Sequence, residues 1–301
     1  MQYGHFDDAA KEYVIDRPDT PRSWSNYLGS TEYGAVITNN AGGFSFYRSG
    51  AQGRFMRMWL NSIPMDQPGR YLYLRDNADG DYWSASWQPV GKPLDEYTST
   101  CRHGTAYTII ESEYRGIESE TTYFVPLDRN FEIWAVKLTN NSNETRDLSA
   151  FTYVEYNTVW DIRHDYFNLQ YTQYTTKMDV VDDMIQHGVI TLAPPDPEDF
   201  QNMDQCRYSF QALVGTEVSG FDTDRDTVIG PYRTYANPKV VESGECTGSL
   251  ADGDNGCGTL KTDITLAAGE TKEFLVICGV GRPDDAGRRA VEEFDRPEKA
   301  Y

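Results

Sequence analysis

Apolar and polar positions alternate with a period of two in several runs of this chain: GAVITNN, RYLYLRD, TAYTIIESEYRGIESETTYFVPL, FEIWAVKLTN, LSAFTYVEY and TDITLAAGETKEFLVICGVG. That period places alternate side chains on the two faces of a pleated strand. Tyrosine, threonine and β-branched residues fill the runs, and 21 tyrosines suit half-buried pleated surfaces. Turn clusters at Asn77 to Asp81, Asn140 to Asn143 and Ala268 to Glu270 predict hairpins or short connections between them. The pattern therefore predicts a mainly β chain, built as a large antiparallel β-sandwich.

No helical period is sustained through the first 280 residues, and there is no internal repeat or low-complexity tract. The end of the chain differs. An acidic start at Pro283-Asp284-Asp285 precedes Ala286, Ala290, Val291 and Phe294 at near-helical spacing, so a helix is expected there. The expected division is a β-sandwich over residues 1–282 and the start of a helical segment over 283–301. One stretch fits neither period: VEYNTVWDIRHDYFNLQYTQY, Val154 to Tyr174, opens as a strand and becomes a mixture of aromatic, amide and charged side chains.

At 301 residues and 39% hydrophobic, the chain can bury one large core. Its formal charge of −20 argues against nucleic acid or an anionic membrane as partner, because both repel such a surface. The N-terminus has neither a basic nor an apolar leader region, and no run approaches the ~18 apolar residues needed to span a bilayer. Five cysteines make no disulfide framework, and a reducing cytoplasm is the simplest compartment.

The candidate chemistry is sparse. Histidines at 5, 103, 164 and 187 have no zinc-site spacing, and the acidic turns DNADGD (76–81) and LADGDNGC (250–257) do not complete a calcium loop. Hairpin turns are expected at both, and no metal. Cys246 and Cys257 bracket a Gly- and Asp-rich loop, where free thiols are the better reading. No nucleophile elbow, Walker loop or dinucleotide fingerprint occurs, and the 47 acidic residues offer too many chance pairs for any to be singled out.

Several segments, read in order, resemble the amino-terminal region of the glycoside hydrolase family 94 phosphorylases. They are YGHFDDAAKEYVIDRPDTP, WSNYLGS, NNAGGFSFY, GRYLYLRD, RHGTAYT, YRGIESETTYFVP, FTYVEY and GFDTDRDTVIG, and they cover residues 3 to about 230. The resemblance implies a β-supersandwich, then a helical linker starting at 283–301, then an (α/α)₆ barrel carrying the catalytic general acid. No catalytic residue is therefore expected in this segment. The implied reaction is inverting phosphorolysis of a β-1,4-linked disaccharide by inorganic phosphate, with no cofactor, giving an α-sugar 1-phosphate and an acceptor sugar. Cellobionic acid, releasing gluconate, is the first expectation, with chitobiose and cellobiose as alternatives.

By the same resemblance, the segment after VEY is an arm that crosses a homodimer two-fold toward the partner's acceptor subsite. Asn168 and Gln170 in FNLQY match the relatives' spacing, and Tyr171 stands where many cellobiose phosphorylases have arginine. Planar amides bond sugar hydroxyls and aromatic faces cover sugar C–H surfaces. Tyr153, Tyr156 and Trp160 read as packing residues. A free-standing carbohydrate-binding sandwich is the reading of another class.

Overall fold

Each alternating run becomes a strand or a pair of strands. The computed structural model of the chain describes residues 2–59, 66–167, 169–190 and 206–300. Among these, three antiparallel sheets form, of ten, five and three strands. The ten-stranded sheet runs in the order Gly4–Asp7, Glu12–Ile15, Tyr97–His103, Tyr107–Tyr114, Ile117–Phe124, Phe131–Asn140, Thr271–Val280, Cys206–Val214, Met184–Ile190, Thr176–Val181. The late strand Thr271–Val280 thus lies in mid-sheet, joining two earlier blocks. The five-stranded sheet runs Gly220–Asp224, Gly256–Leu266, Arg146–Glu155, Tyr71–Asp76, Tyr82–Ser84.

Alternation sorts the side chains between faces. Trp134, Val136 and Leu138 join Leu72, Leu148, Leu260 and Ile264 of the five-stranded sheet in the main core. Phe131, Ile133 and Ala135 of the same strand point the other way, where Ala290 and the flanking Ala286, Val291 and Phe294 cover them. The expected helix is therefore present, as a π turn Pro283–Gly287 leading into Arg288–Glu293, and its apolar stripe lies on the outer face of the ten-stranded sheet. Arg129 pairs with Glu293 beside it at 2.9 Å. On the outer face of the five-stranded sheet, Tyr71, Tyr73, Phe151 and Tyr153 are covered by Val228, Ile229, Val240 and Val241 from two five-residue helices.

The turn clusters behave differently from one another. Asn77 to Asp81 closes a hairpin between Tyr71–Asp76 and Tyr82–Ser84. The other two carry the chain between sheets, and Asn140 ties them together: its amide donates to the Glu144, Leu266 and Ala267 carbonyls at 2.7–3.1 Å. Residues 250–257 are not the hairpin expected from LADGDNGC. They lead from a helix into Gly256–Leu266, and Asp252 bridges to Lys177 instead. Cys246 and Cys257 are free thiols beside the outer cluster of the five-stranded sheet.

Candidate functional site

The strand Arg146–Glu155 delivers the chain to the stretch that fits no period, and its last side chains divide between two cores. Tyr153 is buried on the outer face against Tyr73 and Tyr235. Tyr156 is buried in the main core, its ring stacked on His187 with centroids 4.6 Å apart. Trp160 is buried against Phe55 with a backbone φ of 60°. These three are packing residues, as their composition suggested.

Beyond Trp160 come two short helices, α1 (Ile162–Phe167) and α2 (Leu169–Thr172), then a 3₁₀ turn Gln173–Thr175. Helices of four and six residues have little stability of their own, so contacts at their base must hold them. The buried hydroxyls of Thr158 and Thr172 share a hydrogen bond of 2.5 Å, and the Ile162 amide donates to the Ala51 carbonyl at 2.9 Å. The result is an arm with a buried base and exposed aromatic rings along and just beyond it: Phe167, Tyr171 and Tyr174 are 81%, 66% and 73% exposed.

Under the arm lies a balanced cluster of charges. The fully buried guanidinium of Arg57 donates through Nη2 to Asp165 Oδ1 at 2.7 Å and through Nε to both Asp165 oxygens at 3.0 Å. It also faces Glu155 at 3.6 Å. Glu155 receives Arg225 at 2.8 Å and the hydroxyls of Tyr153 and Tyr235 at 2.7 Å each. Burial pushes the Glu155 carboxyl upward, but Arg225 and Arg57 outweigh it and hold the group below the usual carboxylate range. Burial likewise opposes the charge on Arg57, and Asp165 and Glu155 reverse that, keeping it protonated. At Asp165 burial, with Glu155 adding to it, outweighs Arg57 and holds that carboxyl above its ordinary range. With both carboxyl groups engaged by guanidinium or hydroxyl donors, the cluster offers no open nucleophile and is suited to holding shape.

Of the residues expected at the site, Asn168 lies outside the described residues, Gln170 lies in α2, and the Tyr171 side chain is exposed. The sequence reading missed Arg57, Asp165, Glu155 and Arg225. Arg57 and Asp165 are 108 positions apart, and nothing in spacing or composition joins them. Among the described residues, no three His, Cys, Asp or Glu side chains gather as they would around a metal ion. A surface cavity of about 520 Å³ opens elsewhere, beside Asn77, Asp79, Arg115 and Asp147, and none of the described arm residues lines it.

Residues 11–297 match the family model of the glycosyl hydrolase 94 supersandwich domain. The chain belongs to this family. It is 38% identical over 294 residues, 98% of its length, to the N,N′-diacetylchitobiose phosphorylase of Vibrio proteolyticus, of which it covers 35%. The solabiose phosphorylase of Paenibacillus borealis is 26% identical over 98% of the chain, with 37% of that protein covered. A cellobionic acid phosphorylase of Neurospora crassa is 34% identical over 86 residues, 29% of the chain and 11% of that protein. A solved structure assigned as a kojibiose phosphorylase from the human microbiome superposes with a TM-score of 0.50 at 8% identity, over all of this chain and 36% of that one, which speaks to the fold alone. This glycosyl hydrolase 94 supersandwich thus spans about a third of the length of the curated relatives it matches. None of its described helices is long and apolar enough to cross a membrane.

Proposed function

We propose that this chain is the N-terminal, non-catalytic part of an inverting disaccharide phosphorylase, a glycosyltransferase that moves a hexosyl group to inorganic phosphate. The observation that carries the reading is 38% identity over 98% of the chain to a chitobiose phosphorylase. The same observation reorders the acceptors. Cellobionic acid came first in the sequence reading, but its phosphorylase aligns with only 29% of the chain. N,N′-diacetylchitobiose therefore takes first place, ahead of cellobionic acid and cellobiose.

In this reading a carboxylic acid protonates the leaving glycosidic oxygen while phosphate attacks the opposite face of the anomeric carbon. Phosphate carries its own negative charge, so the base that an inverting hydrolase needs to activate water has no counterpart. The acid and the phosphate site belong to a helical barrel beyond these residues, with 283–301 starting the linker to it. The sandwich contributes homodimer contacts and, through Asn168, Gln170 and Tyr171, one wall of the partner's acceptor subsite, in a cytoplasmic enzyme. An arm with a packed base and exposed Phe167, Tyr171 and Tyr174 supports that role, since aromatic faces suit both a protein interface and a sugar.

The test is to incubate the complete protein with phosphate and each of N,N′-diacetylchitobiose, cellobionic acid and cellobiose, and to measure sugar 1-phosphate. Release of α-N-acetylglucosamine 1-phosphate from the first alone is the expected result. Release from cellobionic acid alone overturns the acceptor assignment, and release from none of the three overturns the phosphorylase reading with these sugars.

A further inference from the structure

Charge, more than apolar contact, holds α1 in place. Of its six residues the buried one is Asp165, while Phe167, its largest apolar group, faces outward. Arg57, which receives Asp165, is itself fixed. Its guanidinium is wholly buried and lies 4.7 Å from the centre of the Trp59 ring, and its backbone amide donates to the Glu155 carbonyl at 2.8 Å. A guanidinium joined to a carboxylate through several N–H···O bonds sets both separation and plane, which a lone hydroxyl contact or an apolar patch does not. The pair thus connects a buried segment, tied through the Arg57 amide to the end of the strand Arg146–Glu155, to a helix too short to hold its own orientation.

We propose that the Arg57–Asp165 pair positions the arm and, through it, the acceptor-sugar subsite. The proposal rests on the reading of the arm as an acceptor-binding element. Asp165 is a positioning residue: its carboxylate is engaged by Arg57 beneath the arm, and its effect on a sugar passes through the placement of α1 and α2. Without it, α1 keeps the Ile162–Ala51 hydrogen bond at its start, and the hydroxyl pair of Thr158 and Thr172 closes the far end. The span between them is then free to shift by the ångström or so that degrades a binding geometry.

The experiment uses the complete protein. Asp165→Asn removes the charge and keeps the shape, and Asp165→Glu keeps the charge on a longer stem. Because Asp165→Asn leaves a buried guanidinium short of its partner, the double variant Arg57→Met/Asp165→Leu guards against simple unfolding. Glu155 keeps Arg225 in that variant, and apolar replacement of a buried ion pair is commonly tolerated. Amide hydrogen exchange is followed in Ile162–Phe167 and Tyr171–Thr175, alongside KM for acceptor and donor in the synthetic direction.

In the double variant, exchange should quicken in those two segments and not in the core strands. KM for the acceptor should rise about tenfold while KM for the sugar 1-phosphate stays within about twofold, and Asp165→Glu should recover part of the acceptor KM. Unchanged arm exchange overturns the positioning role. Quickened exchange with an unchanged acceptor KM overturns the link to the subsite. Normal acceptor kinetics here, together with a raised acceptor KM in Gln170→Ala, sink this proposal while sparing the acceptor reading of the arm.

Discussion

His187 illustrates how a single residue couples this fold to pH. It is wholly buried, stacked on Tyr156 and near Ser209 Oγ, and burial, with Arg57 adding to it, pushes its pKa down to about 3. The unfolded chain takes up the proton near pH 6.5, and the folded chain does so only near pH 3. The stability this group contributes is therefore complete above about pH 6.5 and is lost as the pH falls from there, at about 1.4 kcal/mol per unit. Urea unfolding at pH 7 and pH 5 should show His187→Gln losing about 2 kcal/mol less than the unaltered protein between the two. Equal losses would mean that other groups carry the acid sensitivity. Gln170→Ala tests a different residue, one proposed to bond the acceptor. It should weaken acceptor use by about 0.5–1.5 kcal/mol in transition-state terms and leave use of the sugar 1-phosphate unchanged, as seen in the two kcat/KM values. Neither the burial of His187 nor the partner of Asp165 was legible in the sequence, since both depend on which distant strands converge. Tyr153, Tyr156 and Trp160 could be read as packing because large aromatics next to a strand run have few other fates.

At the level of elements, the strands could be read wherever period and turn chemistry agreed. FEIWAVKLTN is the strand Phe131–Asn140, and YRGI closes the hairpin of Tyr107–Tyr114 with Ile117–Phe124 through Arg115 and Gly116, both at positive φ. The sequence could not show which turns reverse within a sheet and which cross between sheets, because both use the same residues. Asn140 marks the difference structurally. It is fully buried, its side-chain NH2 donates to three carbonyls of two crossings, and its side-chain oxygen Oδ1 accepts from the Ser142 backbone amide at 3.0 Å. Asn140→Ala should strand several buried polar groups and cost about 3 kcal/mol, measurable by chemical denaturation. A loss under about 1 kcal/mol would show the crossings held by their backbone bonds alone. The arm was the hardest element to read: its two helices are too short to print a period, and the guanidinium that seats Asp165 comes from a segment 108 positions away.

For the whole molecule, the expected division of labour is that this supersandwich positions and the catalytic acid lies elsewhere. Residues 1–301 by themselves should release no sugar 1-phosphate from N,N′-diacetylchitobiose and phosphate in a coupled assay; turnover near that of the complete protein would place the acid within this chain. The family was legible because long motifs such as YGHFDDAAKEYVIDRPDTP run in order, whereas acceptor identity rests on a few side chains and was not. The order of strands has a further consequence, one of timing. Thr271–Val280 pairs with Phe131–Asn140 on one side and Cys206–Val214 on the other, so two blocks of the large sheet wait for a strand translated after both. Until about residue 280 has left the ribosome, each block presents a long, apolar, unpaired edge. A nascent chain stalled before that point is expected to aggregate more readily than the finished chain, as a pulse-release comparison of chains arrested before and after Val280 would show.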